Sequence, residues 1–217
     1  MNGYEFTLSG EVMTALPSGA LWWTAQRLLA VSDLHLGKSD RVARRSGMLL
    51  PPYEVDDTLS RLDTLIAELR PRTVVCLGDS FDDLAASEAL SEAHRLWLSR
   101  LMAGRRWLWI EGNHDPGPVE LSGMHLAEFR EGPITFRHIA DAALHGEISG
   151  HYHPKARIGS GISRPCFLID EARVILPAFG TYTGGLRTNH PALCDLMGER
   201  AIAALTGPSV TPCPMPR

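Results

Sequence analysis

Cysteine is scarce in this 217-residue chain, and the four present (Cys76, Cys166, Cys194 and Cys213) include no Cys-x-x-Cys pair. That argues against a disulfide framework and a zinc ribbon, and points to reduced thiols in a cytoplasm. Long apolar runs are absent too, and a mean hydropathy of −0.06 fits no membrane-spanning protein. The opening residues, MNGYEFTLSG, lack a basic stretch followed by an apolar one, so no signal peptide is expected. Positive charge is not in excess. The formal net charge is −4, which sets aside a protein that coats nucleic acid through bulk charge. Neither Gly-x-Gly-x-x-Gly nor a P-loop sequence occurs, so the common dinucleotide and NTP cradles are excluded. Ser32 and Ser80 have no triad-like company, and no internal repeat is visible.

What is present is an ordinary globular composition, 44% hydrophobic and 21% charged, at a length that suits one domain. Residues 1–206 read as that domain, and the Pro-rich residues 207–217 as a loose tail. Residues 5–16 and 20–24 read as strands of a hairpin-like start, and 28–32 as a short buried strand. Apolar residues at Val55, Leu59, Leu62, Leu65, Ile66 and Leu69 have helical spacing, stopped by Pro71. Strands are expected at 73–77 and 107–110, with a helix over 88–102 between them. The second half offers short strands at 124–129, 134–137, 146–149, 166–169 and 173–176, then a helix over 191–205. The five tryptophans read as core or sheet-packing residues, with Trp23 turned outward by alternation. An α/β start followed by many strands suggests two sheets packed face to face with helices outside, an α/β sandwich.

Ligand-type residues recur just after the buried strands. Asp33-Leu34-His35 follows the first, Gly78-Asp79 the second, Gly112-Asn113-His114-Asp115 the third, and Gly150-His151-Tyr152-His153 a later one. Loops at strand C-termini converge in α/β folds, so these four would share one site. Carboxylate and imidazole without thiolate suit a pair of Mn, Fe or Zn ions. Asp79, central in the series, is the candidate bridge between them. A hydroxide shared by two such ions is a nucleophile at neutral pH, and the ions offset charge on a phosphate.

These motifs resemble the calcineurin-like metallophosphoesterases. The stretches RRSGMLLPPYE, GEISGHYHP and LPAFGTYTGGL resemble the bacterial DNA-ligase-associated branch. The resemblance implies a two-sheet sandwich with a dimetal site at one edge. It implies Asp33, His35, Asp79 and His153 around one ion, and Asp79, Asn113, His151 and a further His around the other. His138, at the end of the expected strand ITFR, is favoured over His145 for that place, and His125 is a weaker candidate. His94 and His190 read as structural or solvated. The same resemblance implies that His114 faces the phosphate and helps the leaving group depart. Asp115 is read either as the orienter of His114 or as a turn residue before Pro116. Asp82 and Asp83, in GDSFDD, are given no ligand role; tuning the site, binding outer-shell water and capping the helix that follows are the roles left open to them.

A phosphate substrate asks for positive charge beyond the metals. Lys38, Arg41, Arg44 and Arg45 follow the first motif, Lys155 and Arg157 follow Gly-His-x-His, and Arg187 follows a Gly-Gly turn. Of these, Arg41, Arg44, Arg45, Lys155 and Arg187 are the expected substrate contacts. Aromatic interleaving is thin, limited to Tyr53 and Tyr152, so base stacking is poorly supported. The leading expectation is a Mn-dependent phosphodiesterase or nuclease in DNA repair. By the resemblance it would work in association with a DNA ligase, a helicase and an exonuclease. A phosphomonoesterase or pyrophosphatase shares the same metal chemistry. A non-catalytic scaffold would be expected to have broken motifs, and here they are complete.

Overall fold

The computed structural model describes residues 2–117 and 121–217. The chain begins with β1 (Tyr4–Leu8), β2 (Glu11–Ala15), β3 (Leu21–Trp23) and β4 (Leu28–Val31), an antiparallel run. The expected strand over 5–16 is two strands, because Ser9 and Gly10 both take positive φ (49° and 85°) and reverse the chain. Next come α1 (Lys38–Ser46), α2 (Glu54–Leu69), β5 (Thr73–Leu77), α3 (Leu84–Glu88), α4 (Glu92–Met102), β6 (Arg106–Ile110) and β7 (Met124–Leu126). Strands β4, β5, β6 and β7 run parallel and complete a seven-stranded sheet in sequence order. The single helix expected over 88–102 begins only at Glu92, because the Ser91 hydroxyl caps it by accepting the His94 amide (3.2 Å).

The expected strand over 124–129 breaks at Ala127, where the chain crosses from one sheet to the other. β8 (Glu128–Glu131) and β9 (Ile134–Arg137) open the second sheet, followed by β10 (Glu147–Ser149), β11 (Lys155–Ala156), β12 (Arg164–Ile169) and β13 (Arg173–Ile175). α5 (Pro191–Leu196), β14 (Ile202–Leu205) and β15 (Thr211–Pro214) close the chain. The second sheet has the order β15-β14-β12-β13-β10-β9-β8, with β10 parallel to both β9 and β13. None of the described helices is long and apolar enough to cross a membrane.

Alternation along the strands sorts the side chains into three layers. Leu28, Ala30, Val75 and Leu77 face Phe136, Ile148 and Phe167 between the sheets. Leu29, Val31, Val74 and Cys76 face Leu59, Leu62 and Ile66 of α2 and Leu98 of α4. Cys166, Leu168 and Ile175 face Leu193 and Met197 on the far side of the second sheet. This is the expected two-sheet sandwich with helices outside. Trp23 is not turned outward; it is fully buried between the sheets.

The C-terminal readings need two corrections. The helix expected over 191–205 stops at Leu196, and Ile202–Leu205 is a strand paired with β12. Residues 207–217 are not a loose tail, because Thr211–Pro214 pairs with β14 at the sheet edge. Met215 is buried there, and the Arg217 guanidinium donates to the Met197 carbonyl (2.9 Å). Proline is tolerated at an edge, where a strand need not donate on its outer side. Burial of Met215 contributes about 1.5–3 kcal/mol and each lost ladder bond about 1 kcal/mol. A chain ending at Gly207 is expected to melt about 10 °C below the full chain. Scanning calorimetry checks this, and an unchanged transition would restore the loose-tail reading.

Candidate metal centre

Parallel strands β4, β5 and β6 of one sheet and β9 and β10 of the other end on the same rim. Their loops are stitched together by backbone hydrogen bonds. The Asp33 amide donates to the Gly78 carbonyl (3.2 Å), the His35 amide to Asp79 (2.9 Å) and the Gly150 amide to His138 (3.0 Å). The loops approach so closely that a Cβ on Gly112 would strike the backbone and carboxylate of Asp79. One on Gly150 would strike the Ser32 hydroxyl. Glycine is required at both places for contact rather than for turn freedom. Asp33, His35, Asp79, His151 and His153 all take left-handed backbone, with φ of 53°, 46°, 46°, 69° and 45°. Each costs about 1–2 kcal/mol in a non-glycine residue, and such strain gathers at functional sites.

The two central carboxylates are used in the same way. Asp33 is fully buried, and its Oδ2 accepts from the Ser32 hydroxyl (2.5 Å) and the His151 amide (3.0 Å). Its buried Oδ1 has no hydrogen bond among the described residues and lies 3.0 Å from Nε2 of His153. Asp79 accepts the His114 amide on Oδ1 (2.8 Å) and turns Oδ2 toward Nε2 of His138 (3.4 Å), His35 (4.0 Å) and His114 (4.0 Å). One oxygen is anchored in the scaffold and the other is offered to the pocket. Burial opposes ionisation of Asp79, yet the hydrogen bond and charge of His138, with the His114 amide, bring its pKa down to about 2. Burial opposes Asp33 as well, and His153, the charge of His138 and the Ser32 hydroxyl together outweigh it, so this carboxyl also sits below its ordinary range.

The imidazoles are fixed by their other nitrogens. His138 Nδ1 lies 2.8 Å from the Leu77 carbonyl, which can only accept, so Nδ1 carries the proton and Nε2 is the free end. That Nε2 faces Asp79 Oδ2, Asn113 Oδ1 (3.0 Å) and His151 Nδ1 (3.3 Å). Nε2 of His35 and of His153 meet at 3.5 Å beside Asp33. Among the described residues, acceptor lone pairs converge at two neighbouring points, one ringed by Asp33, His35 and His153 and the other by Asp79, His138 and His151; in a third close group, His35, Asp82 and His114, the Asp82 carboxylate is already engaged by Arg41. A cation resolves such convergence, and so does an added proton. Burial alone would lower the His138 pKa, but the hydrogen bond to Asp79 and the charge on Asp33 raise it overall. The donor set, carboxylate and imidazole without thiolate, fits divalent cations.

His138 rather than His145 joins this cluster. His145 lines a separate groove beside Tyr4 and Phe6. His125 stacks on Trp109, His94 pairs with Asp56 (3.3 Å), and His190 caps α5. Of the roles the sequence left open for GDSFDD, Asp82 takes the one that tunes the site. It is fully buried, with Oδ1 2.7 Å from Nδ1 of His35 and Oδ2 2.8 Å from Arg41. A carboxylate behind an imidazole fixes its tautomer and raises its basicity. The signal was the acidic pair two residues past Gly78-Asp79-Ser80. Asp83, the other half of that pair, caps α3 through the Ala86 amide (2.7 Å).

Asp115 does not orient His114. Its carboxylate accepts from the amides of Asp79 (3.0 Å), Ser80 (2.8 Å), Phe81 (3.1 Å) and Gly112 (3.0 Å), which locks two of the loops together. His114 is positioned instead by the Asp82 carbonyl, 3.0 Å from its Nδ1. The expected basic rim divides in two. Arg41 and Arg44 are engaged by Asp82 (2.8 Å) and Asp83 (2.9 Å), so their charge is balanced within the protein. Arg45 is exposed, and Lys155 and Arg187 lie on the other flank, past His153. With Asp82 behind His35, Asp82→Asn is expected to weaken divalent-cation affinity about 10–100-fold. Asp83→Asn should leave it unchanged. Mn titration followed by electron paramagnetic resonance measures both, and equal affinities for the two variants would remove Asp82 from the site.

No curated protein matches the chain. Among solved structures, the crystal structure of Pseudomonas putida nuclease MPE is similar. The TM-score is 0.77 at 29% sequence identity, over 98% of this chain and 100% of that one. The profile of the calcineurin-like phosphoesterases matches residues 26–169, the span that contains every motif of the cluster. The chain therefore belongs to the calcineurin-like phosphoesterase family and is a metal-dependent phosphoester hydrolase.

Proposed function

We propose that this protein is a dimetal phosphodiesterase that cleaves nucleic acid. Asp33, His35, Asp79 and His153 would hold one divalent cation, and Asp79, Asn113, His138 and His151 the other. Mn is the proposed metal, with Fe and Zn as alternatives. The observation that carries this reading is the free Oδ2 of Asp79, turned toward imidazoles from both halves of the cluster. When bound, the cations supply Lewis acidity: they acidify a water and offset negative charge on a phosphate.

The protein's own part is positional and protic. Asp33 and Asp79 are pre-aligned by hydrogen bonds that leave one oxygen each for the pocket. His114 holds its Nδ1 proton against the Asp82 carbonyl, so Nε2 faces the pocket. In the imidazolium form, that Nε2 gives a proton to the departing oxygen. Asp115 acts as a positioning residue, through the loop amides that it binds. The nuclease neighbour supports nucleic acid as substrate. The family resemblance supports a cytoplasmic DNA-repair setting, in company with a ligase, a helicase and an exonuclease.

The test compares an aryl phosphodiester with the matching monoester in the presence of Mn. The diester is expected to show the higher kcat/KM. Asp79→Asn should lose both activity, by several orders of magnitude, and bound metal. His114→Ala should keep its metal while kcat falls about 10²–10⁴-fold. A preference for the monoester would move the substrate to a small phosphate compound, and full activity without metal would overturn the mechanism.

A further inference from the structure

Beyond His153 the chain enters β11, and residues 186–188 return beside it. The Lys155 amide donates to the Leu186 carbonyl (2.8 Å) and the Thr188 amide to the Lys155 carbonyl (3.1 Å). Between this pair and the 157–163 loop runs an open groove of about 420 Å³, lined among others by Lys155, Arg157, Ile162, Ser163, Arg187 and Asn189. Among the described residues, its lining holds three cations and no carboxylate. Among the described residues none of the three cations is in an ion pair. Lys155 Nζ donates only to the Thr183 carbonyl (3.1 Å), while Arg157 and Arg187 are exposed. The opposite flank differs, since Asp82 and Asp83 already engage Lys38, Arg41 and Arg44 there.

A chain of net charge −4 thus concentrates uncompensated positive charge in one groove, two residues past a candidate metal ligand. Ser163 and Asn189 add neutral donors of the kind that bind phosphate oxygens. Ile162, 87% exposed on the same lining, offers an apolar surface that a small inorganic phosphate would not use and a nucleobase would. We infer that this groove binds the phosphodiester chain flanking the cleaved linkage, so that recognition extends along the chain beyond the reacting phosphate. The inference rests on the phosphodiesterase reading above and adds the track along which the strand lies.

The test is the double variant Arg157→Ala/Arg187→Ala, with both positions exposed and Lys155 left in place to hold the Thr183 turn. Arg72→Ala/Arg130→Ala, exposed elsewhere, makes the same change in net charge. Binding of a fluorescent 12-nucleotide single strand with phosphorothioate linkages is followed by anisotropy across a salt series, on the Mn-loaded protein. The groove variant is expected to bind about 10-fold more weakly at 0.1 M salt. Its log–log salt slope should be shallower by about 1.4, the value for two lost phosphate contacts on a single strand. Its kcat/KM ratio of an unmodified 12-mer to the aryl diester should fall by a similar factor. Identical Kd and slope in the groove and control variants would overturn the groove, and so would a wild type that does not bind the strand. Failure of the wild type to hydrolyse the aryl diester would count against the phosphodiesterase reading instead, while the binding comparison still decides the groove.

Discussion

Asp79 accepts the His114 amide on one carboxylate oxygen and presents the other to imidazoles that arrive from both sheets. Much of the molecule serves that contact. His35 and His138 come from different sheets and can meet at one oxygen only if the loops of both sheets pack without an intervening layer. Gly78 and Gly150 allow this, because a methyl group on Gly78 would collide with the His138 ring and one on Gly150 with the Ser32 hydroxyl, each across the seam between the sheets. The sandwich core, Leu77 against Phe136 and Ile148, sets how far apart the two rims stand.

The cost of this arrangement is visible. Five candidate ligands sit in left-handed backbone, and Asp33, Asp79 and Asp82 are buried with imidazoles, Lys38 and Arg41 to balance them. Buried carboxylates of this kind are tolerated when hydrogen bonds anchor them and positive charge lies close. Asp115 shows the structural half of that rule. It presents no oxygen to the imidazoles and spends its carboxylate on four backbone amides. Burial, helped by the charge of Asp79, nevertheless pushes its pKa up to about 6. Asp33 and Asp79 show the other half, since each keeps an oxygen free. Tautomers follow the same logic. Leu77, Asp82 and the Asp82 carbonyl each take one ring nitrogen, of His138, His35 and His114, so that the opposite nitrogen points into the pocket.

Much of this was legible in the sequence, for a physical reason. Buried parallel strands read as short apolar runs, and ligands placed directly after them belong to one rim. His138 could be preferred over His145 because it ends a strand. What was not legible depended on partners far along the chain or on weak periodicity. α1 carries KSDRVARRS, which has no apolar stripe, and it is held through Ser39 to Glu54 (2.6 Å) and through Arg41 to Asp82. The roles of Arg41, Arg44 and Asp82 follow from pairings across 39–47 residues. The strand over 202–205 looked helical because it is apolar on both faces, and periodicity does not separate such a strand from a helix. Gly198 and the edge prolines Pro212 and Pro214 marked the true boundaries.

In the proposed centre Asp79 stands between two cation sites, one on each side of its free oxygen. Anomalous diffraction from Mn-soaked crystals, collected on both sides of the Mn edge, tests it most directly. Two peaks are predicted, one bounded by Asp33, His35 and His153 and one by Asn113, His138 and His151, with Asp79 in contact with both. A single peak that leaves Asp79 outside its ligand set, or metal bound only elsewhere on the surface, would contradict the account.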